Sequence, residues 1–330
     1  MKYIMLIDSG TTNSRIRLID QSSSAVEGSV KVEAGVRNTA MSGSNEELKQ
    51  AVKQGIEKIL RDNSIQKQDI QYILASGMIT SNLGLHEVAH QKAPADTEKL
   101  AAAMEKRCLE EMLYIPCYFI PGLKSMEEIE GRTEVLDVMR GEETEAFGLL
   151  DVMQLSGDGI LMLPGSHTKW IRADGCGKLL WSSTSLSGEL LKAVQSRTIL
   201  SDSLPEGLIT KLDERALWKG FSAAETMGVN RALFQIRLQH LSGSTEENER
   251  ANFLTGVIFH SDITALKEMN QQNGGWVLIG GSFPLKDAAA SLIKRTLPEI
   301  EVIEASSEQV ERGAWRGPLV IAEQKEELSK

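Results

Sequence analysis

Four short stretches carry the residue types that phosphate chemistry needs. Asp8-Ser9-Gly10-Thr11-Thr12-Asn13 puts an acid at the end of an apolar run and follows it with small and hydroxyl residues. A tight turn of that kind lets backbone N–H groups and hydroxyls close around phosphate oxygens. An acid beside it can hold Mg2+ through water, because that ion keeps much of its hydration shell. An ordinary hairpin with glycine in its turn uses the same residues. Leu163-Pro164-Gly165-Ser166-His167-Thr168-Lys169-Trp170 repeats the arrangement and adds His167 and Lys169. The duplication favours a phosphate-facing role for these two over a structural histidine and a solvated lysine. Ile279-Gly280-Gly281-Ser282 ends a third apolar run in paired glycines. Such a pair lets a flat ligand approach the backbone, and a tight strand-to-helix turn accounts for it too.

The fourth stretch, VMRGEETE at Val138 to Glu145, has two readings. Acids at a helix start gain ~0.3–1 kcal/mol each from the helix dipole, so Glu142 and Glu143 read as helix charges. An Arg-Gly pair ahead of two carboxylates is also a way to aim a base into a cleft. Spacing alone favours the helix charges. Ser187-Gly188-Glu189 is a second, similar stretch.

Other features narrow the field. No G-x-x-x-x-G-K-S/T loop is present, and no G-x-S-x-G elbow. Cys108, Cys117 and Cys176 form no C-x-x-C pair, which fits reduced thiols and offers no zinc site. The apolar run before Asp8 is too short for a signal segment or a membrane span. A soluble, cytoplasmic protein with no membrane partner is expected. The net charge of −10 argues against nucleic acid as a partner, since such binders carry a basic face. A small anionic substrate stays open, because it needs only one local positive site.

The elements around these stretches read as alternating α and β. YIMLID is a buried strand, and Ser14 to Asp20 alternates as the second arm of a hairpin. Leu48, Val52, Ile56 and Ile59 recur at helical spacing within 45–63. A strand then turn follows at 71–78 and a strand ending in Pro-Gly at 117–122, then a helix over 142–153. A second strand–turn–strand covers 158–172, and a strand then helix runs through 177–194. Residues 205–270 are mostly helical, with a polar connector at 242–249. The last elements are a strand at 276–282, a helix from about Leu285, a strand at 301–305 and a closing helix from about Gln309. With 330 residues there is room for two cores. The layout predicts two α/β lobes, each opened by a strand–turn–strand, with ligands at loops leaving strand ends.

This order resembles the actin-like ATPase superfamily, which includes sugar kinases. Within it, MRGEET (139–144), LPGSHTKW (163–170), SGEL (187–190), EAGV (33–36), GMITSNLG (77–84) and FLTGVIF (253–259) look like the 2-keto-3-deoxygalactonokinase family. The match is collinear and covers nearly the whole chain. It implies a two-lobed actin-like (ribonuclease H-like) α/β fold with a duplicated mixed-sheet core and an interlobe cleft. The lobes are expected at 1–138, with the closing helix 309–330 packed on it, and at 139–308. The implied reaction is ATP-dependent phosphorylation of the 6-hydroxyl of 2-dehydro-3-deoxy-D-galactonate, with Mg2+. Alternatives are another keto-deoxy sugar acid, or a non-catalytic sugar-acid sensor of the same fold. The oligomeric state is open, a homodimer among the options.

Residue by residue, the resemblance implies Asp8, Gly10, Thr11, Thr12 and Asn13 for phosphate and metal. It implies Gly165, Ser166 and His167, with Lys169, for a second phosphate loop, and Gly280, Gly281 and Ser282 near the nucleotide. It also raises Glu142 or Glu143 from helix charge to base, at most one of them acting. For the sugar acid the candidates are Arg37, Ser81, Asn82, Arg140 and Glu189. Two features depart from the pattern. Pro164 stands where relatives such as actin carry an acid before the second turn, and the place of 205–250 is not fixed.

Overall fold

The computed structural model describes residues 2–23, 25–129, 132–207, 209–270 and 275–328. In chain order the first elements are β1 (Tyr3–Ser9), β2 (Ser14–Asp20), β3 (Ala25–Val32), α1 (Val36–Ser42), α2 (Glu46–Asp62) and β4 (Ile70–Gly77). Then come β5 (Gln91–Lys92), α3 (Thr97–Ala103), β6 (Glu105–Arg107), β7 (Cys117–Phe119), β8 (Leu123–Ile129), β9 (Arg132–Met139) and α4 (Glu142–Met153). The later elements are β10 (Gly159–Leu163), β11 (Thr168–Ala173), β12 (Leu179–Ser185), α5 (Ser187–Arg197), α6 (Glu214–Met227), α7 (Val229–Leu241) and α8 (Glu247–Asn270). The chain ends in β13 (Trp276–Ile279), α9 (Leu285–Thr296), β14 (Glu301–Glu304) and α10 (Ser307–Ala322). Among the described residues no helix is long and apolar enough to cross a membrane.

Contacts divide the chain into two units. One comprises residues 1–155, 177–182 and 311–330, the other 156–176 and 183–310. A boundary at 138/139 would give α4 to the second unit, whereas its contacts place it in the first. The reason is steric. A β-carbon on Gly148 would come 1.9 Å from the Gly313 carbonyl, and one on Gly317 would come 1.8 Å from the Thr144 carbonyl. Glycines thus let α4 and α10 touch backbone to backbone. Arg316 of α10 donates to Asp151 at 2.8 Å and adds a charged tie.

In the first unit the sheet order is β3-β2-β1-β4-β7-β6. β1 pairs antiparallel with β2 and parallel with β4, and β4 pairs parallel with β7. The apolar stripe of α2 covers one face: Leu48, Val52, Ile56 and Ile59 are all at most 1% exposed. They join Met5, Ile7, Ile16 and Ile73 in one core. A smaller sheet, β5-β8-β9, carries a long hairpin between residues 123 and 139. That hairpin has no counterpart in the elements read from sequence. Val135, Leu136 and Val138 are 46–55% exposed, so its apolar residues do not alternate with burial and leave no strand signature. Val138 and Met139 therefore end a strand, and the helix begins at Glu142.

The second unit repeats the plan with the order β12-β11-β10-β13-β14. β10 pairs antiparallel with β11 and parallel with β13, which pairs parallel with β14. Helices α5 to α9 enclose its core, which includes Leu217, Phe221, Val257, Ile263 and Ile293. FLTGVIF has a packing reason: a β-carbon on Gly256 would come 2.0 Å from the Leu217 carbonyl, so α8 crosses α6 in contact. The polar connector is shorter than 242–249, because α8 begins at Glu247. Glu249 turns back to accept from the Glu246 N–H at 2.8 Å, capping the helix inside that polar run.

Gly148→Ala tests the α4–α10 contact. Forcing a methyl into it should destabilise the protein by about 1–3 kcal/mol, read by urea unfolding. A variant as stable as the parent would mean that the two backbones do not touch.

Candidate active site

In the first unit the turn between β1 and β2 is closed by the Gly10 N–H donating to the Asn13 carbonyl at 2.8 Å. Thr11 and Thr12 are exposed at its tip. The start of α1 braces the turn from below: the Arg37 N–H donates to the Thr11 carbonyl at 2.8 Å. A β-carbon on Gly35 would come 2.5 Å from that carbonyl, which gives EAGV its steric reason. Asp8, Gly10, Thr12, Asn13, Arg15 and Lys31 line a cavity of about 350 Å3. Arg15 and Lys31 face each other across β2 and β3. Sequence reasoning missed both, although Arg15 follows Asn13 at the two-residue strand period.

Asp8 ends β1 beside Gly77. Gly77 has φ of +78, and a β-carbon there would come 2.4 Å from the Ser9 carbonyl and 3.1 Å from Asp8 Oδ1. Gly141, with φ of +114, packs on the α-carbon of Gly77 in turn. This contact brings the start of α4 to Asp8. The Asp8 carboxylate is reached by solvent, yet crowding desolvates it enough to raise its pKa. Arg17 and Arg15 oppose the rise, while Glu142 and Glu311 add to it. Arg17 is 1% exposed and donates to Glu311 at 2.8 and 3.2 Å, so α10 takes part in this charge balance.

The two adjacent glutamates are placed differently. Glu143 is fully buried and turned back on its own helix end, with both oxygens 2.8 Å from the Gly141 N–H. Burial first, and the Glu142 charge second, push its pKa up to about 8. Glu142 is partly exposed, and one of its oxygens accepts from the Arg140 N–H at 2.9 Å. Glu145, a third acid that sequence reasoning did not single out, lies one turn on from Glu142. Burial, then Asp8 and Glu142, push its pKa up to about 7. The signal for it was present as position i+3 from Glu142, on the same helix face.

The sugar-side candidates scatter within this unit. Arg140 is half-buried, and its terminal nitrogens donate to the Thr80 carbonyl and hydroxyl, the Val88 carbonyl at 3.0 Å and His90 Nδ1 at 3.0 Å. Burial and the adjacent Arg140 charge push His90 down to about 4, so it is a neutral acceptor. Ser81 is buried and bonds the Met78 carbonyl at 2.7 Å, a local turn bond, whereas Asn82 and Arg37 are exposed.

In the second unit, α5 braces the turn at 164–167 as α1 braces the first. The Glu189 N–H donates to the Ser166 carbonyl at 3.0 Å. A β-carbon on Gly188 would come 2.0 Å from the Gly165 carbonyl. Glu189 pairs with His167 at 3.1 Å beside this turn, both exposed. Lys169 points inward, 5% exposed, with its amine on the Thr184 hydroxyl, and so does not face the turn. The Gly280 N–H donates to the Met162 carbonyl at 2.9 Å. Gly281, at φ +76, lies against Pro164, where a β-carbon would come 3.0 Å from the ring. Ser282 is exposed ahead of α9.

Two sheets of one topology, each opened by a small-residue turn braced by a glycine-bearing helix start, define an actin-like ATPase fold. Solved structures agree. A crystal structure from Sinorhizobium meliloti, named as a candidate 2-dehydro-3-deoxygalactonokinase, superposes with a TM-score of 0.75 at 21% identity, covering 97% of this chain and 96% of that one. The activator of 2-hydroxyisocaproyl-CoA dehydratase from Clostridium difficile superposes at 0.51 with 14% identity, over 99% of this chain and 97% of that one.

The family model for 2-keto-3-deoxy-galactonokinase matches residues 8–316, and the chain belongs to that family. The 2-dehydro-3-deoxygalactonokinase of Escherichia coli (strain K12) is 24% identical over 64% of this chain and 66% of its own length. DgoK1 of Rhizobium meliloti (strain 1021), described as a probable 2-dehydro-3-deoxygalactonokinase, is 27% identical over 84% of this chain and 85% of its own.

Two substitutions probe the turn at 140–143. Between its usual value of 4.5 and about 8, folded Glu143 holds a proton that the unfolded chain releases. Stability from this residue is therefore present at low pH and lost as pH rises through that window. Glu143→Gln abolishes the loss, so its stability relative to the parent should grow from about pH 5 to about pH 9 in urea melts. A pH-independent difference would exclude a buried neutral acid. Arg140→Lys keeps the charge but not the planar fork. It should cost about 2 kcal/mol and speed amide exchange in residues 78–90; unchanged exchange there would remove Arg140 as the tie.

Proposed function

We propose that the chain is an ATP-dependent kinase that phosphorylates the 6-hydroxyl of 2-dehydro-3-deoxy-D-galactonate. The observation that carries this reading is the family match over residues 8–316, which runs through both small-residue turns and the RGEE stretch. The acid cluster of the first unit supplies chemistry that such a transfer uses. The sugar hydroxyl oxygen bonds to the γ-phosphorus, the bond to the bridging oxygen breaks, and ADP leaves with that oxygen. Such a transition state needs positioning and charge neutralisation more than covalent help.

Glu142 is the better base candidate of the adjacent pair. It is partly exposed and within the field of Asp8, whereas Glu143 is fully buried and committed to the Gly141 N–H. A base must come within hydrogen-bond reach of the proton it takes. In this reading Glu142 orients the hydroxyl and accepts its proton, and Glu143 holds the turn that aims it.

Asp8 fits the approach of a cation. Crowding desolvates its carboxyl, neighbouring acids raise it further, and the absent side chain at Gly77 keeps space beside Oδ1. Mg2+, when bound with the nucleotide, would neutralise phosphate charge there, with Asp8 reaching it through water. The exposed hydroxyls of Thr11 and Thr12, with N–H groups of the turn other than that of Gly10, would bind phosphate oxygens in the first unit, with Arg15 and Lys31 adding charge. Gly165, Ser166 and His167 would do so in the second, and Gly280 to Ser282 would meet the adenosine. For the substrate carboxylate, exposed Arg37 is better placed than Arg140 or Lys169, whose cationic groups are engaged in the fold. Asn82 is the exposed candidate for a sugar hydroxyl.

The test is coupled ADP release over a panel of six-carbon keto-deoxy acids and aldonates. Asp8→Asn and Glu142→Gln should each lower kcat by about 10²-fold or more, and Glu143→Gln by no more than roughly threefold. Sugar-independent ATP hydrolysis should be weak. Silence on every sugar acid would sink the kinase reading; full activity in Glu142→Gln would remove the base assignment alone.

A further inference from the structure

A buried carboxylate outside the acid cluster has no part in the chemistry above. Asp262, on α8, is 3% exposed and accepts a hydrogen bond from the Ser187 hydroxyl. Ser187 is 4% exposed and lies 2.9 Å from the Ser185 hydroxyl. Burying a carboxylate in a helical core is unfavourable unless something compensates it. Two hydroxyls do so here, against a desolvation that raises the Asp262 pKa.

The location gives the compensation a purpose. Ser187 is the first residue of α5, and the residue before it, Leu186, has no side chain able to cap the helix. The first N–H groups of a helix need a partner, and the positive end of its dipole favours a negative charge. Asp262 places its carboxyl group at that helix end from another helix, on the Ser187 hydroxyl. The next two residues of α5 are the ones that touch the turn at 164–167: Gly188 packs on the Gly165 carbonyl, and the Glu189 N–H holds the Ser166 carbonyl at 3.0 Å. The path from Asp262 to the turn is therefore Asp262 carboxylate, Ser187 hydroxyl, α5 backbone, turn carbonyls.

We propose that Asp262 is a positioning residue for the second phosphate turn: through Ser187 it fixes the start of α5 and so sets the geometry in which Gly165 to His167 meet nucleotide phosphate. This rests on the reading of that turn as nucleotide-binding. Asp262 touches no reacting atom. Its effect is expected in nucleotide affinity, not in affinity for the sugar acid.

The experiment uses the full chain and measures KM for ATP, KM for the sugar acid, kcat and Tm for four variants. Ser187→Ala and Asp262→Asn should each raise KM for ATP by roughly three- to tenfold, with KM for the sugar acid within about twofold of the parent. Ser187→Thr, which keeps the hydroxyl, should restore KM for ATP to near the parent value. Gly188→Ala presses on the turn directly and should raise KM for ATP at least as much. If Gly188→Ala raises it and the Ser187 and Asp262 variants only lower Tm, Asp262 is structural and the inference is overturned while the phosphate reading stands. If Gly188→Ala leaves it unchanged, the turn does not bind the nucleotide and both fall. Ser187→Ala removes one hydroxyl and little volume, so it reports even if Asp262→Asn does not fold.

Discussion

The first unit depends on one steric constraint: Gly77 lies against the Ser9 carbonyl and Asp8, and Gly141 lies against Gly77. Both glycines have positive φ, at +78 and +114, a region that side-chain-bearing residues rarely occupy. A β-carbon at Gly77 would collide with backbone, which cannot swing aside as a flexible side chain can. The end of β4, the end of β1 and the start of α4 therefore share one point of contact. Every acid argued to matter, Asp8, Glu142 and Glu145, is held relative to that point. Arg140 ties the 78–90 segment to the same turn, so its donors serve the scaffold.

Close carboxylates have an electrostatic cost, and the fold distributes it. Desolvation raises Asp8 and Glu145, the Glu142 charge raises both further, and the Asp8 charge adds to the rise at Glu145. Arg17, almost fully buried, and Arg15 offset part of it, and both are anchored by Glu311. Glu311 is more than half exposed, so this pairing adds little stability by itself. Its greater consequence is placement, since it fixes a guanidinium behind Asp8. The glycine contacts of α10 with α4 act on the same elements from the other side. A helix at the far end of the sequence thus holds both the acids and the cations that balance them.

The sequence made the strand–turn–strand units, the amphipathic α2, the Gly-Gly turn and the family resemblance legible, because each has a local signature. Leu48, Val52, Ile56 and Ile59 announce their face by period alone. The β8–β9 hairpin was not legible, since Val135, Leu136 and Val138 are exposed and follow no burial pattern. The opposite fates of Glu142 and Glu143 were not legible either. Neighbouring helical positions point about 100° apart, but which direction is core depends on Gly141 turning at positive φ, a tertiary fact. Lys169 looked phosphate-facing because its neighbours do; β11 is buried along its whole length, and the amine bonds the Thr184 hydroxyl instead. Asp262 gave no signal at all, being one acid among many on a long helix.

The duplication also shows where the two halves differ. Each has a hairpin turn, a glycine-bearing helix start beneath it and a positive-φ glycine beyond the next parallel strand, Gly77 in one and Gly281 in the other. In the first unit that glycine faces an acid, Asp8. In the second it faces Pro164, which offers no carboxylate, no side-chain donor and no N–H. With Pro164 in place, the second turn keeps its N–H groups and His167 but has no acid immediately before Gly165, and Glu189 beside it is paired to His167. A turn so composed suits anion binding without a metal of its own. The buried Asp262 reaches the second turn through the Ser187 hydroxyl and the start of α5.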